Sequence, residues 1–157
     1  MARQLRPVGP EFADTAPLRL SFTADLGVAR ERVFVALAEE LESWPHWFTA
    51  VSEVTPTEDG TGRHVRLKGG GFFAETVVAA LPAERYTYRI DRTNAPGLRA
   101  MMEDWNLAVA PSGGARVRWT MAMDGPRTLR ALMLLSRPGL GASFRDAMRR
   151  LDLRLRP

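Results

Sequence analysis

The chain has 157 residues, 45% hydrophobic and 25% charged, which is the size and balance of one globular domain and excludes a disordered or collagen-like chain. With no cysteine and two histidines it offers no disulfide framework, no thiolate nucleophile and no cysteine zinc site, and no metal or cofactor is expected. The formal charge of +4 is concentrated from Gly125 onward, where eight arginines face only Asp146 and Asp152.

Lys68 is the sole lysine among 22 basic residues, a bias that reads as GC-rich bacterial codon usage rather than as a sign of a partner. The terminal arginines are interleaved with aspartates and lack an aromatic-basic stacking pattern, so nucleic acid is not an expected partner and a solvated helix face is. No apolar run approaches the roughly 18 residues of a membrane span. The first residues, MARQLRPVGPEFADTAP, are polar and proline-punctuated, a poor signal peptide, so a cytoplasmic protein is expected.

Residues 1–17, with Pro7, Pro10 and Pro17, show no sustained periodicity and are expected to form an irregular tail ahead of a single domain over 18–157. In LRLSFTAD, Leu18, Leu20 and Phe22 alternate with Arg19, Ser21 and Thr23, the period of a strand with one buried face. VARERVFVALAEELESW then places Val33, Phe34, Leu37, Ala38 and Leu41 at helical spacing, and Pro45 ends that helix before a short helical turn at PHWF. Six further strands are expected at about Val51 to Thr57, Arg63 to Lys68, Phe72 to Leu81, Arg85 to Asp91, Met101 to Ala110 and Ala115 to Asp124. After Asp124 the period becomes helical, through Leu129, Leu132 and Met133 and then Leu140, Phe144, Ala147, Met148, Leu151 and Leu155. Pro138 must kink that helix or split it.

The expected fold class is therefore α+β. A seven-stranded antiparallel sheet wraps a long C-terminal helix, with two shorter helices after the first strand, and a hollow is expected between helix and sheet. This order, together with ARERVFVALAEELESWPHWF, AETVVAALPAERYTYRI and GGARVRWTMAMD, resembles the helix-grip fold of the START and SRPBCC superfamily, in particular its polyketide cyclase/dehydrase and lipid-transport branch. The resemblance spans about Leu18 to Leu155 and implies a pocket without naming a ligand.

Strand parity assigns the pocket wall. Tyr86, Tyr88 and Ile90 point inward, as do Val117, Trp119, Met121 and Met123, leaving Arg116, Arg118 and Thr120 for solvent. Met101, Glu103, Trp105, Leu107 and Val109 share the inward parity of their strand, and Phe73, Glu75, Val77 and Ala79 share that of theirs. Two glutamates thus land on the inner face, where a bare carboxylate is costly. Glu75 and Glu103 either reach water at the rim, paired with an arginine such as Arg66 or Arg89, or act as acceptors toward a ligand hydroxyl or a proton. No arginine is placed inside.

Trp44, His46, Trp47 and Phe48 lie at one end of the hollow, as a core plug or as a portal wall with His46 beside it. His64 has outward parity. The candidate ligand-binding set is Trp47, Phe48, Phe73, Tyr86, Tyr88, Met101, Trp105, Trp119, Met121, Phe144 and Met148, residues that equally suit a packed core. Gly69 to Gly71 lead into a strand without the lysine of a phosphate loop and read as a flexible connection. No nucleophile elbow is visible.

The expected function is binding of a hydrophobic small molecule, a polyketide, aromatic metabolite or lipid, by a monomer or homodimer. The alternative is an aromatase/cyclase-like enzyme, whose relatives, by the same resemblance, use arginine, tyrosine and serine or asparagine inside the pocket. A third possibility is a domain whose cavity its own side chains fill.

Overall fold

Alternating apolar residues make each strand bury one face, and the chain satisfies them with one curved antiparallel sheet closed over a helix. The computed structural model describes residues 1–157. Its strands are β1 (Arg3–Gln4), β2 (Leu18–Leu26), β3 (Val51–Pro56), β4 (Gly62–Leu67), β5 (Phe72–Leu81), β6 (Arg85–Thr93), β7 (Ala100–Val109) and β8 (Ala115–Asp124). The helices are α1 (Phe12–Thr15), α2 (Arg30–Ala38), α3 (Trp44–Trp47), α4 (Arg127–Leu135) and α5 (Arg137–Leu155), with a 3-10 turn at Leu41–Ser43. The sheet order is β2-β8-β7-β6-β5-β4-β3, so the strands from β3 to β8 form a meander and β2 returns to pair with β8. These are the seven expected strands.

The long helix is divided at Ser136. Pro138 falls in the first turn of α5, where its missing N–H costs no helical hydrogen bond, so the chain restarts the helix there instead of kinking it. Phe144, Ala147, Met148, Leu151 and Leu155 of α5 are buried in one core that also takes in Leu20, Leu37, Trp47 and Trp105. That core is one contiguous cluster.

The expected tail is ordered. β1 pairs with the far end of β6, Arg3 opposite Thr93, and Leu5, Val8, Phe12 and Ala13 are buried. Val8, Phe12 and Ala13 cover Ala100, Met102 and Ala122, an apolar patch on the outer face of β7 and β8. Thr120, expected to face solvent on that side, is instead buried and shares a 2.7 Å hydrogen bond with Ser21. A β-bulge near Val78 shifts the register, so Ala79 opposes Thr87 on the outer side rather than continuing the inward parity of Val77. Val109 lies at the end of β7 and is exposed.

Candidate functional site

Four polar side chains line up across the inner face because the register makes them neighbours. Arg63 of β4 is directly opposite Glu75 of β5, and Tyr88 of β6 is directly opposite Glu103 of β7. Gly62 lets β4 and β5 approach at this point, since a Cβ there would lie 2.0 Å from the Glu75 carbonyl oxygen. Arg63 Nε donates to Glu75 Oε2 at 2.6 Å, and both side chains are almost wholly buried. The guanidinium carbon lies 4.3 Å from the Trp44 ring centroid and 4.2 Å from that of Tyr88, so the cation is held between aromatic faces. Arg63 Nη1 has no hydrogen-bond partner.

On the second pair, the Tyr88 hydroxyl donates to Glu103 Oε2, which also accepts from Trp119 Nε1 at 3.3 Å. Trp105 Nε1 in turn donates to the Tyr88 hydroxyl at 3.2 Å. These groups border a cavity of about 170 Å³ between the sheet and α5. Its walls are mostly apolar, with Trp44, Phe48, Phe73, Met101, Trp119 and Met121 around Arg63, Glu75, Tyr88 and Glu103. The helix adds Leu140 and Ser143, both half-buried, and with the exposed Ala50 they mark the mouth. A wider hollow of about 870 Å³ around Thr57, His64 and Asp91 is open and has almost no apolar wall.

One arginine faces two carboxylates, the buried Glu75 and the half-buried Glu103. Burial pushes the Glu75 carboxyl up to about 7, with Arg63 opposing and the nearby Glu103 charge adding to the rise. Burial also raises Glu103, against the hydrogen bond from Tyr88. Tyr88 is held well above the usual phenol range by burial and by the Glu103 charge. Burial alone would lower Arg63, but the Glu75 charge and the flanking tyrosines outweigh it, so the guanidinium stays charged.

This predicts an unusual pH profile. A carboxyl raised by folding stabilises the native state below its unfolded value near 4.3 and loses that contribution as pH climbs to about 7. The exposed Asp25, Asp59 and Asp146 are lowered by hydrogen bonds and act in the opposite sense, only as pH falls through the acid range. Glu103→Gln removes a raised carboxyl and also the charge that adds to the rise of Glu75, so it is expected to flatten the decline between about pH 4.5 and about pH 7, gaining on the parent protein at the upper end. Urea midpoints at the two pH values measure this, and an unchanged slope would remove Glu103 as its source.

The structure sorts the expected site residues into two groups. Phe48, Phe73, Tyr88, Met101, Trp119, Met121, Glu75 and Glu103 border the cavity. Trp47, Tyr86, Trp105, Phe144 and Met148 do not, being packed into the core, where Trp105 stacks on Trp119 and Phe144 on Trp119. Of the aromatic cluster after the first helix, Trp44 and Phe48 reach the cavity while His46 and, as expected, His64 are exposed. The rim pairing is overturned: Arg66 meets Glu53 and Arg89 meets Asp91, whereas Glu75 is taken by Arg63. Arg63 is the residue that sequence reasoning missed, and it shares the inward parity of Val65 on its strand.

The profile of the polyketide cyclase/dehydrase and lipid transport family matches residues 17–156. An uncharacterized protein of Mycobacterium tuberculosis is 32% identical over 149 residues, covering 92% of this chain and 88% of its own. Among solved structures, a START superfamily protein from Mycobacterium smegmatis has a TM-score of 0.68 at 10% identity, covering 87% of this chain and 96% of its own. A protein from Rhodobacter sphaeroides has a TM-score of 0.68 at 19% identity and covers 99% of this chain and 97% of its own. No helix is long and apolar enough to cross a membrane.

Proposed function

The chain belongs to the polyketide cyclase/dehydrase and lipid transport family, and from that premise we propose that it binds a hydrophobic small molecule, in the cytoplasm, in the cavity between the sheet and α5. The observation that carries this reading is an apolar, aromatic-walled cavity with one polar wall, the make-up of a site that orients a ligand as well as burying it. Phe48, Trp119 and Met121 supply area, and the Tyr88–Glu103 pair supplies the hydrogen bonds that fix a polar end.

Fluorescence titration with N-phenyl-1-naphthylamine tests it. Saturable binding that quenches tryptophan emission is expected, because Trp44 and Trp119 form the wall. Ser143→Trp, which fills the mouth from α5, is expected to weaken binding at least about tenfold by occupying the ligand's space. No saturation, or equal affinity in that variant, would overturn the reading.

A cyclase reading is favoured by one observation, the presence of Arg63 and Tyr88 beside Glu103 in the same cavity. Ionised Glu103 would take a proton from a carbon between two carbonyls, the Tyr88 hydroxyl would turn from Glu103 to the enolate oxygen, and as the carbon attacks a second carbonyl the new alkoxide would take the proton back from Glu103. Its mark is loss of turnover of a poly-β-ketone thioester in Glu103→Gln with probe binding retained. Turnover unaffected by Glu103→Gln would remove Glu103 from that role.

A further inference from the structure

Helix α4 is six apolar residues in nine, yet it buries none of its side chains. Leu132, Leu134 and Leu135 are 59%, 53% and 80% exposed, and they are three of the seven large hydrophobic residues that the whole chain exposes. A helix meant to face water would carry polar residues there. The charge around the patch is one-sided as well. From Gly125 to Arg145 there is no acidic residue and there are four arginines, Arg127, Arg130, Arg137 and Arg145. None of the four pairs with a carboxylate, whereas of the four arginines that follow, Arg149 and Arg150 on α5 pair with Asp146, Arg156 just past its end pairs with Asp152, and Arg154 alone has no such partner.

We propose that α4 and the start of α5 form a docking surface for an anionic lipid bilayer. Apolar side chains flanked by unpaired arginines on a short amphipathic helix match the boundary between anionic headgroups and acyl chains, which rewards both features at once. A second copy of the chain fits less well, because a self-complementary contact would bring two sets of unpaired arginines together. Beneath α4, Leu129, Leu132 and Met133 cover a hollow of about 240 Å³. Its floor includes Phe73, Met101 and Met121, which also line the main cavity. Docking would therefore set a second apolar hollow, walled from the main cavity by those shared side chains, against the lipid, although the docking itself does not depend on what the cavity holds.

Flotation of the full chain with vesicles of phosphatidylcholine, alone or mixed with phosphatidylglycerol, tests the proposal. Binding is expected only to the mixed vesicles and is expected to weaken in high salt. Arg127→Gln is expected to weaken it roughly fivefold, and Leu134→Ser with Leu135→Ser at least about tenfold. These side chains are exposed, so an unchanged near-ultraviolet circular dichroism spectrum checks that the variants are folded. No binding to mixed vesicles, equal binding to pure phosphatidylcholine, or a dimer in solution that the leucine substitutions dissolve would each overturn it.

Discussion

Arg63→Met is expected to cost about 3 to 5 kcal/mol of folding stability near neutral pH, the usual penalty for stripping one partner from a buried ion pair. The side chain is 2% exposed and its partner Glu75 5%, so no water replaces the lost hydrogen bond. The contacts to Trp44 and Tyr88 go with it, leaving a flexible thioether between two rings that had held a cation. The penalty should shrink toward about pH 5, because without its cation Glu75 is raised further and can fold in its neutral form. Adding Glu75→Leu should restore most of the loss, since a hydrophobic pair of similar volume often matches a buried salt bridge. Urea unfolding of the two single variants and the double variant measures the coupling, and a single-variant cost below about 1 kcal/mol would show that the pair does not hold the inner wall together.

Phe144→Ala carries the second large effect, about 3 to 5 kcal/mol, as for a fully buried aromatic side chain cut to a methyl. Phe144 is 0% exposed and wedges α5 against three rings, with centroids 5.8 Å from Trp119, 6.0 Å from Phe22 and 6.2 Å from Trp105. Its removal leaves a void behind Trp119, and Trp119 itself borders the ligand cavity. The variant should therefore accept bulkier aromatic probes than the parent does while unfolding at lower urea. A stability loss without any change in probe size would mean that the void collapses, or that it stays sealed from the cavity.

The strands were legible because an antiparallel sheet with one buried face writes period two into each strand, and the break in the last helix because Pro138 has no N–H to donate. The lead-in was not legible. A strand of two residues and a helix of four carry no period, and the only trace of their docking was the apolar character of Ala100, Met102 and Ala122 at outward positions. Arg63 was hidden for a different reason. It shares the inward parity of Val65, whereas strand parity was expected to place no arginine inside, and what makes the burial of so rarely buried a residue type tolerable is the register that sets it against Glu75.

Glu75 and Glu103 stood out in the sequence because a charge on an inward parity is conspicuous. The division between lining and packing was invisible there. Trp105 and Trp119 are the same residue type, opposite each other on adjacent strands and stacked at 5.4 Å, yet only Trp119 borders the cavity. Trp105 is enclosed by Trp44, Trp47, Trp119 and Phe144, and no strand pattern encodes which rings the helices bring against it.

Native mass spectrometry of the freshly purified full chain, followed by denaturing extraction, tests the existence of a ligand site most directly. A small-molecule adduct that is released on denaturation and absent from Ser143→Trp is the expected result, and its identity would name the chemistry held against Tyr88 and Glu103. A bare polypeptide mass that stays bare after incubation with N-phenyl-1-naphthylamine would contradict ligand binding and leave the cavity a packing defect of the core.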